Sequence, residues 1–155
     1  MMTTPPRNGF HLLPIHPDGT VEAFGPPWSG DLAPMIEMTR AFYAESGYLP
    51  PWTAYLATQD GEAVGGGAFV GAPRDGAVEI AYFTLPHRQG QGLATRTATA
   101  LIGIARMSDK AMAIQAKTLP RPNASTRILE RLGFGRTGLA HDHEIGAAWL
   151  WTLNA

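Results

Sequence analysis

The stretch Leu85 to Thr95, reading LPHRQGQGLAT, constrains this chain more than any other. It closes an extended apolar run, Val78 to Leu85, and opens an apolar-periodic one, Leu93 to Met107. Gly90 and Gly92 lie between them. A strand, a glycine-bearing turn and a helix N-terminus in that order make an anion site. The first-turn N–H groups have no partner inside the helix, and the helix dipole favours negative charge there. Glycine lets a phosphate approach the backbone closely. The plainer reading is an ordinary strand-turn-helix corner, which many α/β domains have.

The rest of the chain supplies strands and helices around that corner. Phe10 to Ile15 reads as a short strand interrupted by Pro14, and Asp18-Gly19 as a turn. From Leu32 the pattern turns helical, with Leu32, Met35, Ile36, Thr39, Phe42 and Tyr43 on one face. Asp31 is placed to cap that helix and Gly47 to end it. Thr53 to Gln59 and Ala63 to Val70 read as strands joined by an Asp60-Gly61 hairpin turn. The run Gly65-Gly66-Gly67 predicts a bulge or a close backbone approach. Ala77 to Leu85 is the strongest strand signal. The helix of residues 93 to 107 buries Leu93, Ala98, Leu101, Ile102 and Ala105. Ala111 to Thr118 reads as a strand, and Ala124 to Leu132 as a helix stopped by Gly133. Phe134 to Leu139 and Ala147 to Leu153 form a final antiparallel pair around a loop, Ala140 to Gly146. This order predicts an α/β (α+β mixed) fold, a mixed and mostly antiparallel sheet of about seven strands with helices on both faces. The expected organisation is a flexible tail over residues 1–9 and a single domain over 10–155.

Bulk properties narrow the function classes. At 155 residues one domain has room for a real core. No apolar run approaches the roughly 20 residues of a membrane span. MMTTPPRNGF lacks the apolar centre of a secretory signal, and a cytoplasmic protein is the default. With no cysteine there is no disulfide, thiolate zinc site or cysteine nucleophile. A net charge of −1 gives no reason to expect nucleic acid as a partner. The charge is unevenly spread. Met1 to Leu85 holds 3 basic and 9 acidic residues, whereas Pro86 to Arg136 holds 9 basic and 2 acidic. An anionic cofactor suits the second segment and a cationic substrate the first; uneven surface charge by chance is the alternative.

At Gln89-Gly90-Gln91-Gly92-Leu93-Ala94 the sequence resembles the signature of the GNAT superfamily of N-acetyltransferases. That signature is Gln or Arg, two residues, Gly, one residue, then Gly or Ala; Gln89, Gly92 and Ala94 match it. Some 30 residues later, Asn123 to Phe134 (NASTRILERLGF) looks like the family's second cofactor motif. A Walker loop is absent, since no Gly-Lys precedes Ser or Thr. A dinucleotide fingerprint would need glycine at Thr95. The resemblance implies the acyl-CoA N-acyltransferase fold with acetyl-CoA as co-substrate and no metal. It places the pantetheine arm along Tyr82, Phe83 and Thr84, and the diphosphate on Gln89, Gly90, Gln91, Gly92, Leu93, Ala94 and Thr95. Asn123 and Ser125 would add cofactor contacts.

Acetyl transfer to an amine needs a base, because an alkylammonium has a pKa near ~10. Glu79 is the candidate. It is the only charge in Ala77 to Leu85, and alternation puts it with Ala81 and Phe83. An apolar strand face would raise its pKa, as suits a base; the alternative is a rim carboxylate paired with an arginine. The oxyanion donor would be a backbone N–H near Phe83 or Thr84. Many family members carry a tyrosine acid at the position of Leu129, and this chain does not. Ser125 matches a serine used by one branch, and is the second candidate catalytic residue. Its alternative role is helix N-capping, shared with Asn123. Phe42, Tyr43, Tyr48 and Trp52, with His141, His143, Trp149 and Trp151, are candidates for acceptor specificity, for core or for a homodimer interface. His141-Asp142-His143 falls short of a metal site.

The function expected is therefore transfer of an acetyl group from acetyl-CoA to a primary amine, of a small molecule or a peptide, by direct attack in a ternary complex. A non-catalytic acyl-CoA-binding module and a protein-interaction domain are the rival readings.

Overall fold

The computed structural model describes residues 8–155 apart from Pro26, Ser29 and Glu144. Most of the expected tail therefore lies outside the described residues. A seven-stranded sheet runs in the order β1-β2-β3-β4-β5-β7-β6. Its strands are β1 (Phe10–Pro14), β2 (Ala54–Gln59), β3 (Glu62–Phe69), β4 (Ala77–Thr84), β5 (Ala113–Thr118), β6 (Gly135–Asp142) and β7 (Gly146–Leu153). Only β4 and β5 pair in parallel. The helices are α1 (Leu32–Ser46), α2 (Leu93–Ser108) and α3 (Ala124–Arg131). Pro14 is tolerated because β1 is an edge strand. Ile15 N–H bonds the Ala54 carbonyl at 3.0 Å, so alternation turns the ring nitrogen of Pro14 outward.

Helices cover both faces. On one, Leu32, Ile36 and Tyr43 of α1 pack with Ile15, Leu56 and Leu85. On the other, Ala98, Leu101 and Ala105 of α2 and Leu129 of α3 pack with Val78, Ile80 and Ile114. The glycine run of β3 is what lets two helices come this close. A Cβ on Gly66 would sit 2.5 Å from Met35 Sδ of α1, and one on Gly67 would sit 2.7 Å from Thr97 Cγ2 of α2. A bulge also falls here, since Ala57 pairs with Gly65 but Thr58 pairs with Ala63.

Several local details differ from the sequence reading. Asp31 makes no side-chain cap to α1; its backbone is already helical, whereas a capping side chain works from an extended one. The fifth strand begins at Ala113 rather than Ala111, because Asp109 folds the preceding turn back on itself through the Ala111 N–H at 2.9 Å. The last hairpin is tighter than the expected loop. β6 runs on to Asp142, whose carboxylate takes the Ile145 N–H at 3.2 Å, so His141 lies on a strand.

Candidate active site

β4 and β5 start side by side and then part. Their pairing covers only Ala77, Val78 and Glu79 against Ala113, Ile114 and Gln115. Beyond that point β4 pairs only with β3, and β5 only with β7. A wedge-shaped gap opens between them. The ladder fixes which main-chain groups face it. Val70 N–H bonds Glu79 O at 2.8 Å and Leu85 N–H bonds Val64 O at 2.9 Å. The odd-numbered residues of β4 are thus committed to β3, and Ile80, Tyr82 and Thr84 turn their N–H and C=O groups towards the gap. The expectation that Phe83 offers main chain to a ligand is corrected by this alternation. Its peptide groups belong to the β3 ladder, and its ring packs on the α1 side.

At the apex of the wedge, where the strands part, lies a cavity of about 130 Å³, lined among others by Glu79, Tyr82, Lys117, Ser125 and Asp142. Glu79 is no lone charge on an apolar face. Lys117 Nζ stands 3.3 Å from Glu79 Oε1, and the two side chains are 25% and 21% exposed. The partner is a lysine on the neighbouring strand rather than an arginine at the rim. Sequence reasoning passed over Lys117, although the alternation of AIQAKT held the signal. Glu79 stands opposite Gln115, and two residues further along β5 the same face returns at Lys117. Tyr82 presents a phenol whose pKa burial pushes up to about 12, so it remains a hydrogen-bond donor through the physiological range.

The turn at the end of β4 has the expected form. A single 3-10 turn, Pro86–Arg88, leads into Gly90 and Gly92, with φ of 79° and 76°. Those values suit glycine and strain other residues. Gly92 is the N-cap of α2, no side chain caps the helix, and no acidic residue lies in its first turn. The first-turn N–H groups of Leu93, Ala94 and Thr95 are thus left without a side-chain acceptor. Leu93 is buried and contributes main chain only. Gln89 and Gln91 are used to shape the turn. Gln89 Nε2 donates to the Thr84 carbonyl at 3.3 Å, and Gln91 Oε1 accepts from Arg88 Nε at 3.1 Å.

On α3 the two candidates separate. Asn123 is the N-cap, its Oδ1 accepting the Thr126 N–H at 2.9 Å while Thr126 Oγ1 accepts the Asn123 N–H. This reciprocal cap commits the Asn123 amide oxygen to the helix. Ser125 takes no part in it and lines the cavity with Glu79. Leu129, where many family members carry a tyrosine, is fully buried in the core.

None of the eight aromatic and histidine candidates lines this cavity. Tyr43 is buried and donates to the Ile15 carbonyl at 2.9 Å, while accepting the Ala54 N–H at 2.9 Å. Trp151 donates to Thr118 Oγ1 at 2.9 Å from inside the core. Trp52 stacks edge-on against Phe69, and Tyr48 against Tyr43. Trp149 lies beneath Arg136, whose guanidinium carbon is 4.0 Å from the ring centroid. Phe42 packs in the α1-side core. The rings of His141 and His143, with centroids 6.5 Å apart, flank Asp142 at the β6–β7 hairpin. Among the described residues no group of three His, Asp or Glu is placed to hold a metal.

The fold has solved counterparts. Mycobacterium smegmatis RimJ, in complex with CoA-disulfide, is 23% identical with a TM-score of 0.61, covering 80% of this chain and 61% of its own. The chain thus spans less than two thirds of that protein. The yncA protein of Salmonella typhimurium, solved with acetyl-CoA, is 22% identical with a TM-score of 0.57, covering 82% and 75%. A GNAT-family protein of Desulfovibrio desulfuricans is 15% identical with a TM-score of 0.64, covering 94% and 98%. Identities this low establish a shared fold. No curated protein matches the sequence. The family model described as an acetyltransferase (GNAT) domain matches residues 8–135. With most of its length matched and the sheet, the wedge and the uncapped turn in place, the chain belongs to the GNAT family of acetyltransferases.

Proposed function

We propose that this domain transfers an acetyl group from acetyl-CoA to a primary amine bound beside it. The observation that carries the reading is the Glu79 carboxylate at the apex of the wedge, already holding an alkylammonium, that of Lys117, at 3.3 Å. The same carboxylate can receive the ammonium of an acceptor and take its proton. The wedge suits the donor. The open edge of β4 presents the main chain of Tyr82 and Thr84 to the amide-rich pantetheine arm as a further strand would. The residues 89–95 then meet the diphosphate with free N–H groups at the start of α2. Acetyl-CoA supplies an activated acyl group whose leaving thiolate is weakly basic. An N–H on the β4 edge serves as donor for the acyl oxygen, and the return of a proton to sulfur falls to the Ser125 hydroxyl, which lines the same cavity. Direct attack is favoured because the chain has no cysteine and the site presents no other activated nucleophile.

The acceptor is an amine that enters as a cation, which fits the acidic balance of the first 85 residues. Thiol release from acetyl-CoA across a panel of amines tests the proposal. Glu79→Gln is expected to lower kcat about 100-fold, the usual scale of a general base, with CoA affinity within a factor of about two. Tight CoA binding without acetylation of any amine would instead establish a non-catalytic acyl-CoA module, a reading that the leucine at position 129 allows. Undiminished turnover in Glu79→Gln would remove Glu79 as the base.

A further inference from the structure

The chain contains two lysines, Lys110 and Lys117, and they occupy opposite environments. Lys110 is exposed in the turn between α2 and β5. Lys117 lies in the wedge, with its ammonium 3.3 Å from the carboxylate assigned as the base. We infer that Lys117 is a self-acetylation site: the protein modifies this residue with its own acetyl-CoA when no acceptor is present. The inference rests on the proposed reading of the wedge as the acetyl-CoA site.

Three features support it. Lys117 sits two residues beyond Gln115, the last β5 residue paired with β4, so it flanks the wedge where the strands have already parted. It shares the sheet face of Glu79, which holds its nitrogen at the cavity. The pair is also largely withdrawn from water, the side chains of Lys117 and Glu79 being 25% and 21% exposed, so the nitrogen stays at the cavity rather than out in solvent. In the reaction, Glu79 takes one proton from the Lys117 ammonium. The nitrogen forms an amide bond to the acetyl carbon as the carbon–sulfur bond breaks. The nitrogen's second proton passes to the thiolate, and the proton on Glu79 is released to solvent. The products are N-acetyl-lysine, CoA thiol and one proton. The modified side chain has lost its charge and places an acetyl group in a cavity of about 130 Å³, where an acceptor amine would otherwise sit.

The test is incubation of the full chain with acetyl-CoA and no amine, followed by intact mass and peptide mapping. Lys110 is an internal measure of uncatalysed acetylation. Lys117 is expected to gain acetyl at least about tenfold faster than Lys110, at a rate independent of protein concentration. Glu79→Gln should slow Lys117 about 100-fold and leave Lys110 unchanged. Lys117→Arg, which keeps the ion pair, should remove the modification while circular dichroism and melting show the native fold. CoA binding by calorimetry separates the two levels of the argument. If CoA binds and Lys117 stays unmodified, or reacts no faster than Lys110, the self-acetylation inference is overturned. If CoA does not bind, the reading of the wedge fails and the inference falls with it.

Discussion

The first turn of α2 has neither an acidic residue nor a side-chain cap. For an ordinary helix this omission is a loss, and Thr95→Glu should repair it. Thr95 is the third helical residue after Gly92, from which a carboxylate reaches back to the N-cap N–H. Interaction with the helix dipole should raise the stability of the ligand-free protein by about 0.5–1 kcal/mol, or roughly 1–4 °C in Tm for a domain of this size. The same carboxylate occupies the ground proposed for a diphosphate. At a separation of ~5 Å and an effective dielectric constant of ~40, each pair of unit charges repels by about 1.7 kcal/mol. With two phosphate charges and salt screening, about 2 kcal/mol remains, a loss of roughly 30-fold in CoA affinity. The assay is paired: melting of the ligand-free protein and calorimetric titration with CoA, with Thr95→Gln to separate charge from size. Stability should rise while affinity falls. A stabilised variant that binds CoA as tightly as the parent would show that the diphosphate sits elsewhere.

Two further substitutions probe the frame of the site. Gly67→Ala places a methyl 2.7 Å from Thr97 Cγ2 and 3.0 Å from Leu101 Cδ1, both on fully buried side chains. Overpacking of this kind costs about 1–3 kcal/mol, and a melting temperature equal to the parent's would refute the close approach of β3 and α2. Tyr82 has its phenol pKa raised from 10 to about 12 by burial. Below pH ~10 it is protonated whether folded or unfolded, and between pH ~10 and ~12 only the unfolded chain releases the proton. Stability should therefore fall by about 2–3 kcal/mol across that window. Tyr82→Phe should flatten this part of a urea-denaturation series against pH. An unchanged slope would mean that the Tyr82 phenol is not held in its neutral form.

The order of elements along the chain, the two-sided helix packing and the turn were legible in the sequence because each has a short-range cause. Apolar alternation marks Ala77 to Thr84, a 3.6-residue period marks α2, and Gly90 and Gly92 mark the turn. The glycine run of β3 was legible as a close approach, but its cause required two helices that meet the strand from opposite faces. The parts that did not show depend on where strands pair. Phe83 looked equivalent to Tyr82 and Thr84 until the β3 ladder fixed which peptide groups turn inward. Lys117 looked like one more basic residue until the parallel pairing of Glu79 with Gln115 brought it beside a carboxylate 38 positions earlier in the chain. The aromatic residues stayed open between specificity, core and dimer interface because composition alone cannot distinguish a pocket wall from a core.

One physical theme joins the turn, the open strand edge and the ion pair. Each is a place where a stable fold would normally complete its own interactions. α2 lacks a cap, β4 lacks a strand beside Tyr82 and Thr84, and Glu79 balances its charge with a lysine from the strand that has moved away. A ligand with a diphosphate at one end and an amide-rich arm completes the first two. An acceptor ammonium can replace Lys117 at the third. The stability of the ligand-free domain must therefore come from elsewhere, and the fully buried side chains of Phe69, Ile80, Leu101, Ile114 and Leu129 lie behind the wedge on the α2 and α3 side. The division follows from the ladder. Even-numbered residues of β4 direct their side chains into that core while their peptide groups face the gap. The strand that anchors the core is thus also the one whose open edge is proposed to receive the donor.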